Sequence, residues 1–301
     1  MQPEGNALKP HPTLERYYAR AEERPRFVRQ LFDDAAGDYD RIEGRMAFGS
    51  GRWYRREALK RTGLGPGMRV LDVAIGTGLV AREAAKLAGA GCVTGLDPSA
   101  GMLLEARRQL RVRGILGLGE QLPVADSTFD LVSMGYGLRH LSDLTVTFRE
   151  FLRVLKPGGT VCLLELTRPE RRFWRGVIRL YLWRVVPTLA RLRTHSAQAG
   201  TMMRYFWDTI ENCVPPQSIL EALDAAGFAD VHRRLAIGLF SEYSGRKPLP
   251  GEVVAPSAPR PESGNFFVRE IAREEPVVHR DESEGRDGAG WQGGRAKRPQ
   301  A

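Results

Sequence analysis

Two glycines and a carboxylate stand where apolar runs of the sequence end, and together they could bind a ligand. Gly76 and Gly78 follow the run 68–74, and a segment of helical periodicity begins at Leu79. A glycine turn between a strand and a helix lets backbone amides approach a ligand at the positive end of the helix dipole. Asp97 ends the next apolar run, 19 residues after Gly78, where a carboxylate can meet a ribose diol. The spacing predicts a nucleotide-type site.

The same glycine spacing, followed by Ala81, also fits a dinucleotide fingerprint, so an NAD-dependent enzyme is an alternative at this point. Asp72 argues against it, because a carboxylate inside the first strand would face a cationic ligand rather than a pyrophosphate. Two further motifs follow in order, LPVADSTFD at 122–130 and RVLKPGG at 153–159. Asp72 and the order of these motifs argue against the NAD-dependent enzyme.

The four motifs together resemble those of class I S-adenosylmethionine-dependent methyltransferases. By that resemblance, the methionine end of S-adenosyl-L-methionine is held by Asp72, Gly76, Thr77 and Gly78. Asp97 bonds the ribose hydroxyls, and Pro98 flanks the adenine. The cofactor-binding residues that the resemblance implies are Asp72, Gly76, Thr77, Gly78, Asp97, Pro98, Leu118, Gly119 and Gly135.

Outside these motifs the sequence is similar to the ubiquinone/menaquinone biosynthesis C-methyltransferase family, from about Phe32 to Gly245. The segments that carry the likeness are FDDAAGDYDRIEGRMAFGSGRWYRR at 32–56, SMGYGLRHLSD at 133–143, RVLKPGGTVCLLELTRP at 153–169, and the late helical segment at 201–228. The sequence departs from the family's pattern at several positions, which are Glu43, Gly51, Leu118, Gly135 and His140. These departures concern the substrate more than the cofactor.

The resemblance implies methyl transfer to a ring carbon of a prenylated, lipophilic benzoquinol or naphthoquinol. Removal of a phenolic proton makes the ortho carbon nucleophilic, so the reaction requires no cysteine nucleophile. Arg139 and His140, which follow the fourth strand, are the predicted catalytic residues. A histidine with a pKa near its ordinary value of about 6.5 suits a general base. An arginine suits the phenolate or orients a water that takes the proton.

Two alternatives stay open at this stage. One is a methyltransferase of a soluble phenolic or polyketide-type molecule, acting at oxygen or carbon. The other is a non-catalytic, cofactor-binding accessory protein at a membrane. The head group, the prenyl length and the oligomeric state are not determined by the sequence.

Strand-like and helix-like segments alternate between residues 68 and 166, which predicts a parallel sheet covered on both faces. With the resemblance, the expected fold is α/β, a doubly wound, mostly parallel seven-stranded sheet with a helical lid inserted at about 171–212. Ser99 and Ser142 are predicted to cap the helices that follow them, and residues 156–159 to end a helix. Residues 231–237 and 239–243 are predicted to pair as a final antiparallel hairpin.

The chain has 301 residues, a formal charge of +9 and a pI of about 9.8, which favours an anionic partner. We expect a polar lead at 1–30, the methyltransferase domain at 31–245 and a disordered tail at 246–301. The tail holds seven prolines, seven glycines and nearly balanced charge. Three widely spaced cysteines, the lack of a signal peptide and the lack of a long apolar run favour a cytoplasmic protein without disulfides or a metal site.

A basic stretch at 171–207 holds eight arginines and no acidic residue before Asp208, interleaved with aromatic residues. Arg172, Arg175 and Arg179 share one helix face, and Trp174 and Val177 share another. Basic amphipathic helices of this kind lie on anionic membrane surfaces. We therefore expect peripheral contact with the inner face of an anionic membrane, and we expect no nucleic acid partner.

Overall fold

A seven-stranded sheet forms the centre of the structure, a computed structural model that describes residues 7–46, 50–169, 171–185, 197–236 and 238–254. Its spatial order is β3-β2-β1-β4-β5-β7-β6. The strands are β1 (Val70–Val73), β2 (Val93–Asp97), β3 (Arg113–Leu116), β4 (Phe129–Gly135), β5 (Leu155–Leu166), β6 (Ala229–Ala236) and β7 (Phe240–Arg246).

Strands β1 to β5 run parallel, whereas β7 lies antiparallel between β5 and β6. The chain builds outward from β1 in one direction through β2 and β3, and it then returns to the other side of β1 with β4. The carboxyl ends of β1 and β4 therefore meet where the strand order reverses, which is where open α/β sheets bind ligands. The predicted fold class and the final antiparallel hairpin are confirmed.

Helices cover both faces of the sheet. They are α1 (Arg24–Met46), α2 (Ser50–Arg61), α3 (Leu79–Ala88), α4 (Ala100–Gln109), α5 (Leu144–Val154), α6 (Arg172–Leu180), α7 (Ala197–Asn212) and α8 (Pro216–Ala226). Alternate strand residues face opposite layers, as the pleat requires. Val70 and Cys162 pack with α2, α3 and α4, whereas Leu71 and Val161 pack with α5 and α8.

Two helix starts test the predicted caps. The Ser99 hydroxyl accepts a hydrogen bond from the Met102 amide at 3.0 Å, so this cap is confirmed. The cap of α5 is Asp143 rather than Ser142, because the Asp143 carboxylate accepts from the Thr145 amide at 2.8 Å. The prediction for Ser142 was wrong; its own amide donates to the Glu120 carboxylate at 2.5 Å.

Residues 156–159, which were predicted to end a helix, lie inside β5; the helix before them ends at Val154. The register between β4 and β5 shifts between Phe129 and Leu131, so these residues form an irregularity inside the strand. Gly159 fits there because an added Cβ would lie 3.0 Å from the carbonyl oxygen of Asp130. Lys156 fixes the same region through the Asp130 carboxylate at 2.8 Å.

Both expected domain boundaries need correction. The lead before residue 31 packs into the domain, since α1 begins at Arg24 and the Leu144 amide donates to the Leu8 carbonyl at 2.9 Å. The start of the expected tail is also structured, because the backbone of Lys247 exchanges hydrogen bonds of 2.8 and 2.9 Å with residues 158 and 159. Residues 255–301 lie outside the described part, so the disorder expected there stays a prediction.

Truncation after Gly245 should destabilise the protein, whereas truncation after Val254 should not. The shorter chain loses the backbone pairing of Lys247 and its ammonium bond to the Leu155 carbonyl at 2.7 Å. We expect a loss of about 2 kcal/mol, or about 5 °C in the thermal midpoint. Thermal unfolding of the two truncated chains beside the full chain measures this, and equal midpoints for all three would contradict it.

Candidate functional site

A cleft opens at the carboxyl ends of β1 and β4, with an empty volume of about 720 Å³. It is lined by Val28, Phe32, Tyr39, Arg55, Asp72, Ala74, Ile75, Gly76, Thr77, Leu79, Val80, Asp97, Pro98, Met102, Gly135, Tyr136, Gly137 and His140. The structure thus brings together seven of the eleven predicted site residues, namely Asp72, Gly76, Thr77, Asp97, Pro98, Gly135 and His140. Gly78, Leu118, Gly119 and Arg139 lie outside the lining.

Asp72 is a buried carboxylate in the middle of the sheet. Its Oδ1 accepts a hydrogen bond from the Ser133 hydroxyl of β4 at 2.7 Å. Its Oδ2 is buried and has no hydrogen-bond partner among the described residues. Burial raises the pKa of Asp72 to about 7, because the low-dielectric interior disfavours the charged form. A cationic group in the cleft would supply the missing partner.

The turn between β1 and α3 depends on its glycines. Gly76 has a φ of 56° and Gly78 a φ of 89°, a region that side chains disfavour. Gly78 is the residue before α3, and an added Cβ there would lie 2.7 Å from Leu110. The Thr77 hydroxyl donates to the Asp40 carboxylate, which ties α1 to the turn. Gly78 therefore shapes the turn rather than lining the cleft.

Asp97 closes the other side of this turn. Its two carboxylate oxygens accept hydrogen bonds from the Gly76 amide at 2.8 Å and the Ser99 amide at 2.9 Å. Burial raises the pKa of Asp97 to about 6 despite these bonds. Each oxygen retains a lone pair, so the carboxylate can accept further hydrogen bonds from a diol.

Leu118 and Gly119 are not at the cleft, which corrects the position expected for them. Leu118 is largely exposed and forms an isolated bridge with Gln121. Gly119 is buried against Val73 and Leu141, and an added Cβ would lie 3.3 and 3.2 Å from them. The two residues follow β3, and their placement depends on how that loop crosses the sheet end.

The end of β4 lies very close to α3 and to the residue that follows β1. An added Cβ at Gly135 would lie 2.5 Å from Val80, and one at Gly137 would lie 2.7 Å from the Cβ of Ala74. Ala74 and Tyr136 both have positive φ, at 54° and 62°, and both line the cleft. Non-glycine residues in this region cost free energy, and such residues cluster at functional sites.

His140 lines the cleft inside an aromatic chamber. Its ring lies 5.1 Å from Phe32, 5.5 Å from Tyr205 and 6.0 Å from Phe206, measured between centroids. Both ring nitrogens are buried without a hydrogen-bond partner among the described residues. Burial, together with the positive charges of Arg139 and Arg24, holds the pKa of His140 well below its usual range. The imidazole is therefore neutral at pH 7.

Arg139 does not line the cleft, so it is not placed to contact a substrate there as the sequence predicted. Its Nε donates to the Glu165 carboxylate at 2.9 Å, and its Nη1 donates to the Thr209 hydroxyl at 2.7 Å. Both members of the ion pair are at most 2% exposed. Arg139 joins β5 to α7 and contributes positive charge behind His140.

Arg55 is the principal cleft residue that the sequence reasoning missed. It is a fully buried arginine of α2, and it lies 5.6 Å from the centroid of the Tyr136 ring. The signal was present, since the buried residues of α2 recur at i, i+3, i+4, i+7 and i+8 and are Gly51, Tyr54, Arg55, Ala58 and Leu59. The cleft thus presents a buried cation together with two buried carboxylates.

Substitution of Arg139 by leucine should act mainly on stability. It would leave the buried Glu165 carboxylate without its cation, which costs about 3–5 kcal/mol in such sites. The double change Arg139→Leu with Glu165→Leu should recover most of that loss. Chemical denaturation of the two variants and the unsubstituted protein measures the difference. An Arg139→Leu protein of unchanged stability would contradict the structural role.

Comparison with known proteins places the chain in a family. Residues 19–247 match the model of the "ubiE/COQ5 methyltransferase family". The chain is 32% identical over 236 residues to a ubiquinone/menaquinone biosynthesis C-methyltransferase UbiE of Shewanella halifaxensis, covering 75% of this chain and 93% of the relative. It is 35% identical over 232 residues to a demethylmenaquinone methyltransferase of Corynebacterium urealyticum, covering 77% and 98%.

A solved S-adenosylmethionine-dependent methyltransferase of Thermotoga maritima has the same fold, with a TM-score of 0.52 and 20% identity over 73% of this chain and 99% of that one. The cleft suits that cofactor, because the buried Oδ2 of Asp72 has no hydrogen-bond partner among the described residues and could accept from a cationic group, and Asp97 can accept from a diol. The chain is an S-adenosylmethionine-dependent methyltransferase and belongs to the ubiE/COQ5 methyltransferase family.

Proposed function

We propose that this enzyme methylates a ring carbon of a lipophilic benzoquinol or naphthoquinol. The observation that carries the proposal is the neutral, unpartnered imidazole of His140 in an aromatic chamber at the cleft. The names of the relatives, which specify ubiquinone/menaquinone and demethylmenaquinone methylation, support the same substrate class.

The cofactor residues act through charge and shape. Asp72 would hold the cationic amino-acid end of S-adenosylmethionine, and Asp97 would hold its ribose diol. Bound S-adenosylmethionine supplies an electrophilic sulfonium methyl group. Arg55, buried in the same cleft, provides a cation for the carboxylate of that zwitterion. The chain's part is to bind these groups, orient them and exclude water.

A quinol in the cleft requires a hydrogen-bond partner for its hydroxyl group and positive charge near the oxygen that becomes anionic. Either ring nitrogen of His140 can bind a phenolic hydroxyl, and the flat ring of a quinol can pack against Phe32. The low pKa makes His140 a weaker base than its ordinary value predicts. The charges that lower this pKa, chiefly Arg139 with Arg24 behind it, also favour an anionic oxygen beside the imidazole. We infer that the neutral imidazole of His140 accepts a hydrogen bond from the phenolic hydroxyl, whose proton passes to water while the positive field stabilises the phenolate. The ortho carbon then bonds the methyl group as the methyl–sulfur bond of the donor breaks, and loss of the ring proton to water restores the aromatic ring.

S-adenosylmethionine binding should weaken as pH falls from 8 to 6. Asp72 has a pKa of about 7 in the free protein, and only its ionised form suits a cationic ligand. At pH 6 about a tenth of the molecules carry that form, so the dissociation constant should rise about tenfold. Titration calorimetry at the two pH values measures the change.

Asp72→Asn is the matched control for this pH dependence. It should bind weakly at both pH values and show little change between them, because the titrating group is gone. A tenfold change that persists in Asp72→Asn would show that another group titrates. The group to examine next would be Asp97, whose pKa is about 6.

The purified protein should methylate a short-chain, water-soluble demethylated quinol, with the new methyl group on carbon. His140→Phe keeps an aromatic ring in the chamber and removes both nitrogens. Its turnover should fall on the order of a hundredfold, while S-adenosylmethionine affinity should stay unchanged. Mass spectrometry and NMR of the product identify the methylated atom, and calorimetry measures the affinity.

Tyr205→Phe is the control, since the Tyr205 hydroxyl has no hydrogen-bond partner among the described residues and its ring is kept. Its turnover should match that of the unsubstituted protein. Methylation on oxygen alone would contradict the proposed reaction. Methylation of simple phenols but of no quinol would point to the soluble phenolic substrate instead.

A further inference from the structure

Helix α6 carries an apolar surface that the described residues of the chain leave exposed. Within this helix the structure buries no residue. The exposed fractions of its large apolar side chains are 72% for Phe173, 52% for Trp174, 40% for Val177 and 56% for Leu180. We call these four residues, with Arg172 and Arg179, the α6 face.

The α6 face has the form of an amphipathic surface. Phe173, Val177 and Leu180 are spaced i, i+4 and i+7, so they form one stripe along the helix. Arg172 and Arg179 are also seven residues apart and form a row beside that stripe. The sequence from 171 to 185 holds five arginines and no acidic residue. Positive charge thus borders exposed apolar surface along the whole helix.

The opposite side of α6 is anchored to the domain. Arg175 pairs with the Glu211 carboxylate of α7, its Nε lying 3.2 Å from Oε2. Ile178 and Tyr181 pack on the cluster that contains residues of α1 and α7. The α6 face is therefore held outward by contacts on its other side. This separates Arg175 from the two arginines with which it was grouped by sequence.

The cluster under α6 also forms the wall of the aromatic chamber. It includes Tyr205 and Phe206, whose rings lie 5.5 and 6.0 Å from that of His140. One layer of side chains therefore connects the underside of α6 with the cleft residue His140. A surface bound at the α6 face would lie near the substrate side of the site.

We propose that the α6 face docks the enzyme on an anionic lipid bilayer. Charge complementarity selects this partner, because arginines bordering an apolar stripe match anionic head groups above an acyl region. Phe173 and Leu180 enter the interface, Trp174 lies at head-group level, and Arg172 and Arg179 meet phosphates. Among the described residues, no helix combines the length and apolar character needed to cross a bilayer. The docking is thus lateral, along the surface, and it does not depend on the substrate proposed above.

Co-sedimentation of the full chain with vesicles tests the docking without any substrate. The unsubstituted protein should bind vesicles of phosphatidylglycerol and phosphatidylcholine more tightly than vesicles of phosphatidylcholine alone. Arg172→Gln with Arg179→Gln should weaken binding to the anionic vesicles at least about tenfold. The difference should shrink as salt rises, because salt screens exposed charges. Phe173→Ser with Leu180→Ser should weaken binding to both kinds of vesicle.

Matched controls separate the α6 face from general charge and apolarity. Arg111→Gln with Arg113→Gln removes the same charge from exposed positions near β3, at the far edge of the sheet. Leu116→Ser removes an equally exposed leucine of that strand, 62% accessible. Both controls should bind vesicles like the unsubstituted protein. A control that loses as much binding as the α6 variants would overturn the proposal, and so would α6 variants that bind normally.

Tryptophan fluorescence gives a second readout at one residue. Addition of anionic vesicles should shift the emission to shorter wavelength, and most of that shift should disappear in Trp174→Phe. An unchanged shift in Trp174→Phe would place the contact elsewhere. Activity on the short-chain quinol should stay normal in all α6 variants, so a failure of docking and a failure of the proposed reaction are distinguishable. If the protein bound no vesicles but formed concentration-dependent dimers that Phe173→Ser abolishes, the partner of the α6 face would be a second copy of the chain and not a bilayer.

Discussion

The carboxylate of Asp72, buried in the central strand of the sheet, is the constraint on which the site depends. A buried carboxylate without a cation is unfavourable, and its pKa of about 7 expresses that cost. The Ser133 hydroxyl from the neighbouring strand satisfies one of its oxygens, which leaves the other for a ligand. Under the proposed function, the cationic methyl donor would favour the ionised form of Asp72 and so offset the cost of its burial. Strained backbone at Ala74 and Tyr136 surrounds the same point.

A second electrostatic feature lies on the substrate side. Arg24 is buried among neutral partners, donating to the Leu141 carbonyl at 2.6 Å and the His11 carbonyl at 3.1 Å. Arg139 is paired with Glu165, whereas Arg24 has no carboxylate partner among the described residues, so the region behind His140 keeps an excess of positive charge. Burial is the main reason why the nearby histidines are neutral, and this positive charge adds to it; the pKa of His11 is lowered to about 4. The N-terminal residues are therefore part of the site's electrostatics as well as its packing.

The two features divide the cleft by charge. Carboxylates at the β1 end suit the cationic donor, and buried arginines near His140 suit an anionic acceptor oxygen. Under the proposed function, these opposite charges would orient the donor and the acceptor before the reaction, which is the preorganisation that methyl transfer needs. Helix α6 connects this cleft with the surface. Its buried side packs on the same residues that enclose His140, and its other side is the exposed α6 face.

The sequence by itself indicated the alternation of strands and helices, the final antiparallel hairpin and the glycine turn between β1 and α3. Those features are local: alternating apolar runs, glycines at a strand end and a carboxylate at a fixed spacing express short-range geometry. Spacing singled out Asp72, Gly76, Gly78 and Asp97, and all of these except Gly78 line the cleft. Thr77 and Pro98 were implied by the resemblance, and His140 was predicted from its place after the fourth strand; these three also line the cleft. Family resemblance supplied what spacing could not, namely the cofactor and the substrate class.

Only the tertiary structure decided which neighbours of those residues reach the cleft. Arg139 and His140 are adjacent in sequence, yet one side chain enters the ion pair with Glu165 and the other enters the cleft. Leu118 and Gly119 are placed by the path of a loop, and Arg55 is placed by how α2 packs on the sheet. The same holds for Arg175, which pairs with Glu211 and leaves Arg172 and Arg179 to the α6 face. Side-chain direction depends on partners distant in sequence, because a buried charge turns toward whichever opposite charge the fold brings near it.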